Sequence, residues 1–293
     1  MRQPSISKIP ASLQAAFDEC RNMALGHYEN FPVGSVLLPK KLRPHFFSMY
    51  AFMRTADDFA DMPHRTGSER LAMLTDWRDQ LHSLFSGEVP THPIFQALQF
   101  TIRQFDLALE PFDRLLDAFT FDATGDVRFS TEKDLYWYTA RSANPVGRLV
   151  LALFAYEDAE RIAQSDAICT ALQLLNFIQD AREDLENGRC YFPLEDLYYG
   201  VTADNLNFKT LLTDSDRFKK IARIQANRVK TLLDKGASLP ESVKGRLRFE
   251  LRAVIFGARL LLQKIEHLGY DTITQRPTLN KSERIWVLIK SVF

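Results

Sequence analysis

Apolar residues recur along most of the chain at the three- and four-residue spacing of amphipathic helices, and no segment alternates long enough to predict a strand. Between residues 12 and 25, for example, Leu13, Ala16, Phe17 and Cys20 fall on one side of a helix. The pattern predicts an all-α fold, with helices over residues 12–25, 40–62, 69–85, 93–105, 111–121, 131–156, 173–193, 208–235 and 240–268 and a further helix in the tail after 276.

These helices are expected to form one domain over residues 1–293, a bundle of about ten helices around a central apolar cavity, with residues 1–10 as a flexible arm. The helix over 131–156 is interrupted by Asn144-Pro145, because proline removes a backbone donor and bends a helix. Such a break either lets neighbouring helices pack or leaves a carbonyl dipole free to face a cation. Both interpretations stay open on the pattern alone.

A polar stripe crosses the apolar stretch between Gln173 and Pro193. Asn176, Asp180 and Asp184 are four residues apart, so they share one face of a helix. Like charges at this spacing cost about 0.2–0.5 kcal/mol. Oxygen ligands without His or Cys suit Mg²⁺, which binds carboxylates together with substrate phosphates. The stripe therefore indicates a magnesium site or, alternatively, a solvated acidic face near a helix end at Asn187-Gly188.

A second acidic cluster lies at the end of the predicted helix over 40–62. Asp57, Asp58 and Asp61 fall where the helix dipole is negative, just before Pro63 stops the helix. Acidic side chains destabilise that end unless a cation offsets them. Two acidic stripes on facing helices are typical of a site at which Mg²⁺ ions bridge a diphosphate and neutralise it as it leaves.

Tyr50 and Arg54 precede this cluster at the same four-residue spacing and share its face. The Arg54 guanidinium suits a phosphate, because its forked donors match two phosphate oxygens. The alternative is an intrahelical ion pair with Asp58, which is worth about 0.3–0.5 kcal/mol on a surface. The neighbouring carboxylates favour the phosphate interpretation.

The overall composition argues against several classes of protein. The 37 basic side chains balance the 37 acidic ones, so nothing indicates a basic face for nucleic acid. Three scattered cysteines predict neither a disulfide framework nor a zinc site. The absence of a recognisable signal peptide and of a long apolar run predicts a cytoplasmic protein. The sequence also lacks a Gly-x-Gly dinucleotide pair, a phosphate-binding Gly-x-x-x-x-Gly-Lys loop and the Glu-x-x-His motif of di-iron bundles.

The sequence resembles the squalene/phytoene synthase family over nearly its whole length. Five segments carry the resemblance: His27 to Val33, Tyr50 to Asp61, Ser142 to Val150, the stretch between Gln173 and Pro193, and Gly269-Tyr270 with Arg276-Pro277. The two Asp motifs are typical of the family as a whole. The first and third segments are most similar to the bacterial branch that makes hydroxysqualene for hopanoids.

The resemblance implies the isoprenoid synthase fold and a site in which about two or three Mg²⁺ ions bridge the diphosphate of an isoprenoid substrate. The aspartates that it implies in catalysis are Asp57, Asp61, Asp180 and Asp184. The metal ligands that it implies are these four together with Asp58 and Asn176. The residues that it implies in substrate binding are His27, Tyr50, Arg54, Asn144, Gln173, Gln179, Arg189 and Tyr270.

The activity implied by the resemblance is the conversion of presqualene diphosphate and water to hydroxysqualene and diphosphate, without NADPH. Many relatives have Ser-Lys where this chain has Tyr28-Glu29, and many have Arg where it has Gln179. Both changes remove groups suited to a diphosphate, so we expect one bound diphosphate rather than two. The resemblance also implies a functional hand-over from a presqualene diphosphate synthase and to a flavin-dependent reductase. A long isoprenoid substrate leaves peripheral contact with the inner face of the membrane open.

Two alternatives remain open at this point. One is a presqualene diphosphate, squalene or phytoene synthase, which condenses prenyl diphosphates. The other is a non-catalytic assembly or scaffold protein built on the same helical frame. A scaffold has no reason to retain two acidic stripes, so the pattern favours an enzyme.

Overall fold

The computed structural model describes residues 6–26, 38–125, 127–197 and 208–292, and within these ranges it contains helices and no strand. The chain divides into two compact units, one formed by Met1–Gly125 with Pro145–Ile162 and the other by Asp126–Asn144 with Ala163–Phe293. The helices confirm the predicted all-α class. The single domain around a central cavity stays a prediction.

Among the residues that the structure describes ahead of the boundary at Gly125, the first unit contains five helices, and their ends agree with the sequence prediction to within about three residues. A short 3₁₀ turn, Ala11–Leu13, leads into the first of them. These helices are α1 (Gln14–Gly26), α2 (Arg43–Asp61), α3 (Gly67–Phe85), α4 (Pro93–Phe105) and α5 (Glu110–Ala123).

The second unit contains most of the later helices, and two helices cross the boundary between units. These two are α7, which opens at Asn144, and α8, whose first turn belongs to the first unit. A 3₁₀ segment, Phe208–Leu212, precedes α11. The helices are α6 (Glu132–Ser142), α7 (Asn144–Leu153), α8 (Ala159–Gln179), α9 (Ala181–Glu186), α10 (Leu194–Leu197), α11 (Ser215–Gly236), α12 (Leu239–Ser242), α13 (Arg246–His267) and α14 (Lys281–Val292).

The predicted break in the 131–156 helix is confirmed. Helix α6 starts with a capping box, in which Thr131 and Asp134 each accept the other's backbone N–H. It ends at Ser142, and Ala143 leaves the helical region at φ −120°, ψ −49°. Pro145 then falls in the first turn of α7, where a missing N–H costs nothing.

Three other predicted helices are each divided in the structure, which corrects the prediction. The helix expected over 208–235 is the 3₁₀ segment Phe208–Leu212 followed, after the N-cap Asp214, by α11. The helix expected over 240–268 is two helices, α12 and α13, and between them Val243 is extended and Gly245 has a positive φ of 65°. The helix expected over 173–193 begins earlier, as α8, and ends at Gln179. The chain resumes as α9 after a single residue, Asp180, and α9 ends at Glu186, seven residues before the predicted end.

Helix α2 is the best-packed element of the first unit, since it contacts α1, α3, α4 and α5. Phe52, at its centre, is fully buried and lies 5.5–5.9 Å, ring centroid to ring centroid, from Trp77, Phe95 and Phe112. Burying an aromatic side chain of this kind contributes about 1.5–3 kcal/mol. The helix that carries the first acidic motif is therefore packed at its centre against α3, α4 and α5.

A second aromatic cluster lies beneath the end of α8. The Phe177 and Tyr191 rings stack with centroids 4.1 Å apart and planes 3° from parallel. Tyr138 and Phe129 pack beside them, and all four side chains are buried. This cluster fixes the polypeptide on both sides of the second acidic motif.

None of the helices in the described ranges combines the length and the apolar content needed to cross a lipid bilayer.

Helix α13 carries a carboxyl group that the fold does not pair. One carboxylate oxygen of Glu250, Oε2, is buried and has no hydrogen-bond partner. Burial raises the pKa of Glu250 from 4.5 to about 8. At neutral pH the folded protein therefore keeps a proton on this side chain that the unfolded chain releases.

Glu250→Gln is expected to become more stabilising, relative to the wild type, as pH rises from about 4.5 to about 8. Below this window both states of the wild type are protonated, and above it the folded state carries the full cost of a buried carboxylate. The measurement is the free energy of unfolding of both proteins by denaturant at several pH values. A difference between them that does not change with pH would contradict the unpaired carboxyl group.

Candidate active site

The first acidic motif occupies the last two turns of α2. Asp57 and Asp58 are half-buried, and Arg54 donates to both of them, with Nη1 3.1 Å from Asp57 Oδ2 and Nη2 2.5 Å from Asp58 Oδ1. Burial alone would lower the pKa of Arg54, but the charges of Asp57 and Asp58 outweigh it and raise that pKa above its ordinary value. The intrahelical pair considered from the sequence is therefore present, and the phosphate role of Arg54 stays a prediction.

The other two predicted residues of α2 flank this pair. Tyr50 lies one turn earlier and is half-buried, and burial raises the pKa of its phenol, with Arg54 opposing the shift. The phenol is therefore a hydrogen-bond donor at neutral pH. Asp61 is the last residue of the helix and is exposed. Its carboxylate lies at the negative end of the helix dipole, where a cation is favoured.

The second acidic stripe survives the break between α8 and α9. Asp180 lies outside both helices, at φ −101°, ψ 9°, a sparsely populated region in which many active-site residues are found. Its N–H nevertheless donates to the Asn176 carbonyl at 2.8 Å, and the Asp184 N–H donates to the Asp180 carbonyl at 3.1 Å. The four-residue relation among the three side chains is therefore kept. Asn176 is exposed, and Asp180 and Asp184 are half-buried.

The segment Asp271–Pro277, which we call the capping segment, closes the end of α8. The Thr272 hydroxyl donates to the Ile178 carbonyl at 2.6 Å, so it satisfies one of the carbonyls that a helix end leaves unpaired. The Gln179 amide donates to the Pro277 carbonyl at 2.7 Å.

The capping segment also supplies a cation to the stripe. Arg276 Nε lies 2.6 Å from Asp180 Oδ1, and this hydrogen bond, rather than burial, raises the pKa of Arg276. The Arg276 side chain is 57% exposed and that of Asp180 33%, so the pair contributes about 0–1 kcal/mol to stability. The Asp180 side chain accepts from Arg276 and does not cap α9.

A cavity of about 460 Å³ lies between the end of α8, helix α9 and the capping segment. Its lining carries the carboxylates of Asp180, Glu183 and Glu186 against the guanidinium groups of Arg182 and Arg276. Arg182 is already engaged, with Glu186 at 2.9 Å and the Ile273 carbonyl at 3.4 Å. The lining is therefore acidic overall, and an anionic ligand needs additional cations to enter it.

The remaining predicted residues have the following positions. Asn144 is buried and accepts a hydrogen bond of 2.9 Å from the Thr170 hydroxyl. Gln173 is half-buried on α8. Arg189 is half-buried, and its N–H donates to the Asp184 carbonyl at 2.8 Å, after Gly188 has turned the chain at a φ of 78°. His27 lies outside the described residues, as do Tyr28 and Glu29.

Tyr270 directly precedes the capping segment and has an unusual backbone conformation. Gly269 and Tyr270 follow α13 with φ values of 60° and 66°, and the Tyr270 N–H donates to the Ile265 carbonyl at 2.9 Å. A left-handed conformation is strained for a residue with a side chain, and such strain is concentrated at functional sites. The position is consistent with the predicted substrate-binding role, which stays a prediction.

The structure brings the predicted residues together in two groups. One group lies on α2 and comprises Tyr50, Arg54, Asp57, Asp58 and Asp61; the other lies around the α8–α9 junction and comprises Gln173, Asn176, Gln179, Asp180, Asp184 and Arg189. Over the ranges that the structure describes, no group of three or more His, Cys, Asp or Glu residues is placed to hold a metal ion. The predicted metal ligands fall three in each unit.

The donor set nevertheless fits Mg²⁺. Five carboxylates and one amide oxygen are the hard ligands that this ion takes together with phosphate oxygens. Both stripes also attract a cation in this structure, Arg54 on α2 and Arg276 at Asp180. The magnesium set stays a prediction.

Sequence reasoning missed two residues of this site. Arg276 and Thr272 approach the end of α8 from 96 and 94 positions away, so no local spacing could assign them to it. The signal that did exist was the Arg276-Pro277 pair, which carries part of the family resemblance.

An all-helical frame with aspartate stripes on α2 and at the end of α8 is typical of enzymes that act on isoprenoid diphosphates. A family model described as squalene/phytoene synthase matches residues 25–283. The chain belongs to the squalene/phytoene synthase family, whose members are prenyltransferase-like enzymes.

Individual relatives agree with this assignment. The chain is 39% identical to squalene synthase HpnC from Alicyclobacillus acidocaldarius, whose crystal structure it matches with a TM-score of 0.81 over 90% of this chain and 97% of that one. This match confirms the predicted isoprenoid synthase fold. The chain is also 36% identical to presqualene diphosphate synthase from Rhodopseudomonas palustris, over 62% of this chain and 64% of that protein. It is 28% identical to phytoene synthase from Arthrospira platensis, over 94% and 92%.

Proposed function

We propose that the protein converts presqualene diphosphate and water to hydroxysqualene and diphosphate, in a Mg²⁺-dependent reaction of squalene and hopanoid biosynthesis. The observation that carries the proposal is the engagement of Gln179. Its amide is used to hold the Pro277 carbonyl, at the position where many relatives have an arginine. At this position the chain therefore has a side chain that binds the capping segment rather than a cation that could bind a second diphosphate.

The charge around Asp180 supports a single bound diphosphate. A condensing synthase must hold two diphosphates at once, whereas an enzyme that starts from presqualene diphosphate holds one. The cavity beside Asp180 has more carboxylates than guanidinium groups in its lining, and its two arginines already have carboxylate partners. Tyr28-Glu29, in place of the Ser-Lys of many relatives, points in the same direction.

The chain's own groups have distinct tasks in this proposal. The metal ligands are Asp57, Asp58, Asp61, Asn176, Asp180 and Asp184. Bound Mg²⁺ supplies Lewis-acid stabilisation of the departing diphosphate. Arg276 and Arg54 are the cations beside the stripes, and their forked donors suit diphosphate oxygens once the carboxylates have another partner. The substrate-binding set is Tyr50, Asn144, Gln173, Gln179, Arg189, Tyr270 and His27.

The reaction is balanced without a reductant. The bond between carbon and the diphosphate oxygen breaks with its electron pair leaving on diphosphate. The carbocation rearranges, and a water oxygen forms the new carbon–oxygen bond and releases one proton to solvent. NADPH is not required for an alcohol product, and the sequence has no dinucleotide motif. Presqualene diphosphate synthase as the supplier and a flavin-dependent reductase as the consumer of the alcohol complete the proposed hand-over.

A second candidate is condensation of prenyl diphosphates. The match to a phytoene synthase over 94% of this chain, and that to a presqualene diphosphate synthase over 62%, favour it. The two candidates differ in substrate, so one experiment separates them.

The purified protein with Mg²⁺ is expected to convert presqualene diphosphate to hydroxysqualene without NADPH, and to convert little farnesyl diphosphate. The measurement is product identification by gas chromatography and mass spectrometry from parallel incubations with the two substrates. An incubation without protein serves as the blank that separates enzymatic product from non-enzymatic hydrolysis.

Two results would defeat the assignment. One is robust formation of presqualene diphosphate or phytoene from prenyl diphosphates by the wild type. The other is a strict requirement for NADPH with squalene as the product. Omission of Mg²⁺, or excess EDTA, is expected to reduce product to the level of the blank.

A further inference from the structure

The last helix, α14, exposes apolar side chains in a cluster. The described residues include seven large apolar side chains that are exposed, and four of them lie within eight residues of α14. These are Ile285 (58% exposed), Trp286 (48%), Ile289 (55%) and Val292 (56%). Single exposed apolar residues are ordinary on a protein surface, but a contiguous group marks an interaction surface.

The four side chains point away from the side by which α14 is attached. At about 100° per residue, Ile285, Ile289 and Val292 fall within roughly 60° of one another, with Trp286 at the edge of the stripe. Val287 and Ser291 lie on the opposite side and are buried, where α14 packs on α13. The helix is therefore apolar on two sides, and the unit covers one of them.

Cations border the exposed stripe. Lys281 lies on one side of it, and Lys290 lies beyond Trp286 on the other, with its ammonium 4.7 Å from the Trp286 ring centroid. Arg284 is also exposed, but it lies on the side of Val287 and Ser291 and donates to the Leu279 carbonyl at 3.0 Å. The acidic residue of the helix, Glu283, is neutralised by Lys264 at 2.8 Å. The exposed surface of α14 thus combines an apolar stripe and a tryptophan with a net positive charge.

We propose that α14 lies flat on an anionic lipid surface, with Ile285, Trp286, Ile289 and Val292 inserted at the boundary between headgroups and acyl chains. Short helices with an apolar face, basic flanks and a tryptophan bind membranes in this way, and twelve residues span about 18 Å along the surface. Lys281 and Lys290, which border the stripe, face the lipid phosphates. The sequence left peripheral contact with a membrane open, and the proposal assigns that contact to the exposed stripe of α14. It does not depend on which isoprenoid product the protein makes.

Charge complementarity favours a membrane over a second copy of the chain. In a twofold dimer this surface would meet itself, and a single-sign set of cations would face the same set. Anionic lipid offers the opposite charge along the whole helix. Trp286 also suits the boundary between water and lipid, because its ring is apolar and its indole N–H is polar.

The full-length protein is expected to sediment with vesicles of phosphatidylcholine mixed with phosphatidylglycerol, and much less with phosphatidylcholine alone. Ile285→Ser with Ile289→Ser is expected to weaken binding to the anionic vesicles about tenfold or more. Lys281→Gln with Lys290→Gln is expected to weaken it less and to reduce its dependence on salt, because the electrostatic part is screened. The matched control is Val89→Ser, which removes an 86% exposed apolar side chain from the loop between α3 and α4. Its binding should equal that of the wild type.

Three outcomes would overturn the proposal. They are absence of binding to anionic vesicles, equal binding by the wild type and the Ile285→Ser, Ile289→Ser protein, and equal loss in the Val89→Ser control. Sedimentation velocity tests whether a second copy of the chain covers this surface instead of lipid. A dimer that disappears with Ile285→Ser and Ile289→Ser, in a protein that ignores vesicles, would assign the surface to a second copy of the chain. Unchanged thermal unfolding of each variant ensures that a loss of binding is not a loss of fold.

Discussion

Asp180→Asn is expected to lower turnover at least about 1,000-fold while the protein stays folded, since loss of metal-assisted charge stabilisation is worth several kcal/mol. The fold should survive because the Asp180–Arg276 pair, with Arg276 57% exposed, contributes only about 0–1 kcal/mol to stability. The backbone bonds at this position, from Asp180 N–H to Asn176 and from Asp184 N–H to Asp180, do not involve the side chain. The measurements are kcat with presqualene diphosphate and the thermal unfolding curve.

A second readout separates the metal role from other roles of Asp180. Calorimetric titration of Mg²⁺ in the presence of inorganic diphosphate should show weaker binding by Asp180→Asn than by the wild type. The control is Asp216→Asn, which alters an exposed aspartate in the first turn of α11 and should leave both kcat and Mg²⁺ binding unchanged. Full activity of Asp180→Asn, or full activity of the wild type in excess EDTA, would remove the metal mechanism.

Gly236→Ala is expected to destabilise the protein by about 1–3 kcal/mol, which is the cost of overpacking a filled core. Gly236 ends α11 where that helix touches α8. A Cβ atom there would lie 2.4 Å from the Ile168 side chain and 2.9 Å from the Gln164 carbonyl oxygen. Ile168 is buried, and the carbonyl belongs to a helix, so neither can move aside cheaply. Denaturant unfolding at constant pH measures the effect.

Gly257→Ala is the matched control for this substitution. Gly257 lies inside α13, and a Cβ atom there would lie 3.9 Å from its nearest neighbours, Leu279 and Val287, which is ordinary contact. Removing a glycine from a helix interior stabilises by about 0.5–1 kcal/mol. The two variants should therefore differ in sign. If Gly236→Ala proved neutral, the close approach of α11 to α8 would be refuted.

Local signals predicted where several helices begin, for reasons that the structure makes clear. Proline in the first turn places the start of α4, and a capping box places the start of α6. Such signals depend on neighbours within four residues, which a sequence displays directly. The prediction placed the division at Asn144-Pro145 correctly for the same reason.

The division at Asp180 could not be predicted in this way. The stretch from Gln173 to Pro193 has helical periodicity throughout, and the observed interruption is accompanied by contacts from the capping segment. The acidic stripe itself was predictable, because its spacing survives in the backbone bonds at Asp180 and Asp184. The partner of Asp180 could not be predicted from local spacing, because Arg276 reaches Asp180 only through tertiary folding.

The capping segment has a consequence for the order in which the chain acquires structure. Its bonds to the end of α8 join residues 94 to 98 positions apart, about a third of the chain. Helices form early because they need only near neighbours, whereas closing a loop of this length costs chain entropy before any contact compensates for it. A nascent polypeptide that ends before Asp271 can therefore carry the whole acidic stripe and still lack the bonds that fix its geometry. Residues as far as Pro277 must be synthesised before the environment of Asp180 exists.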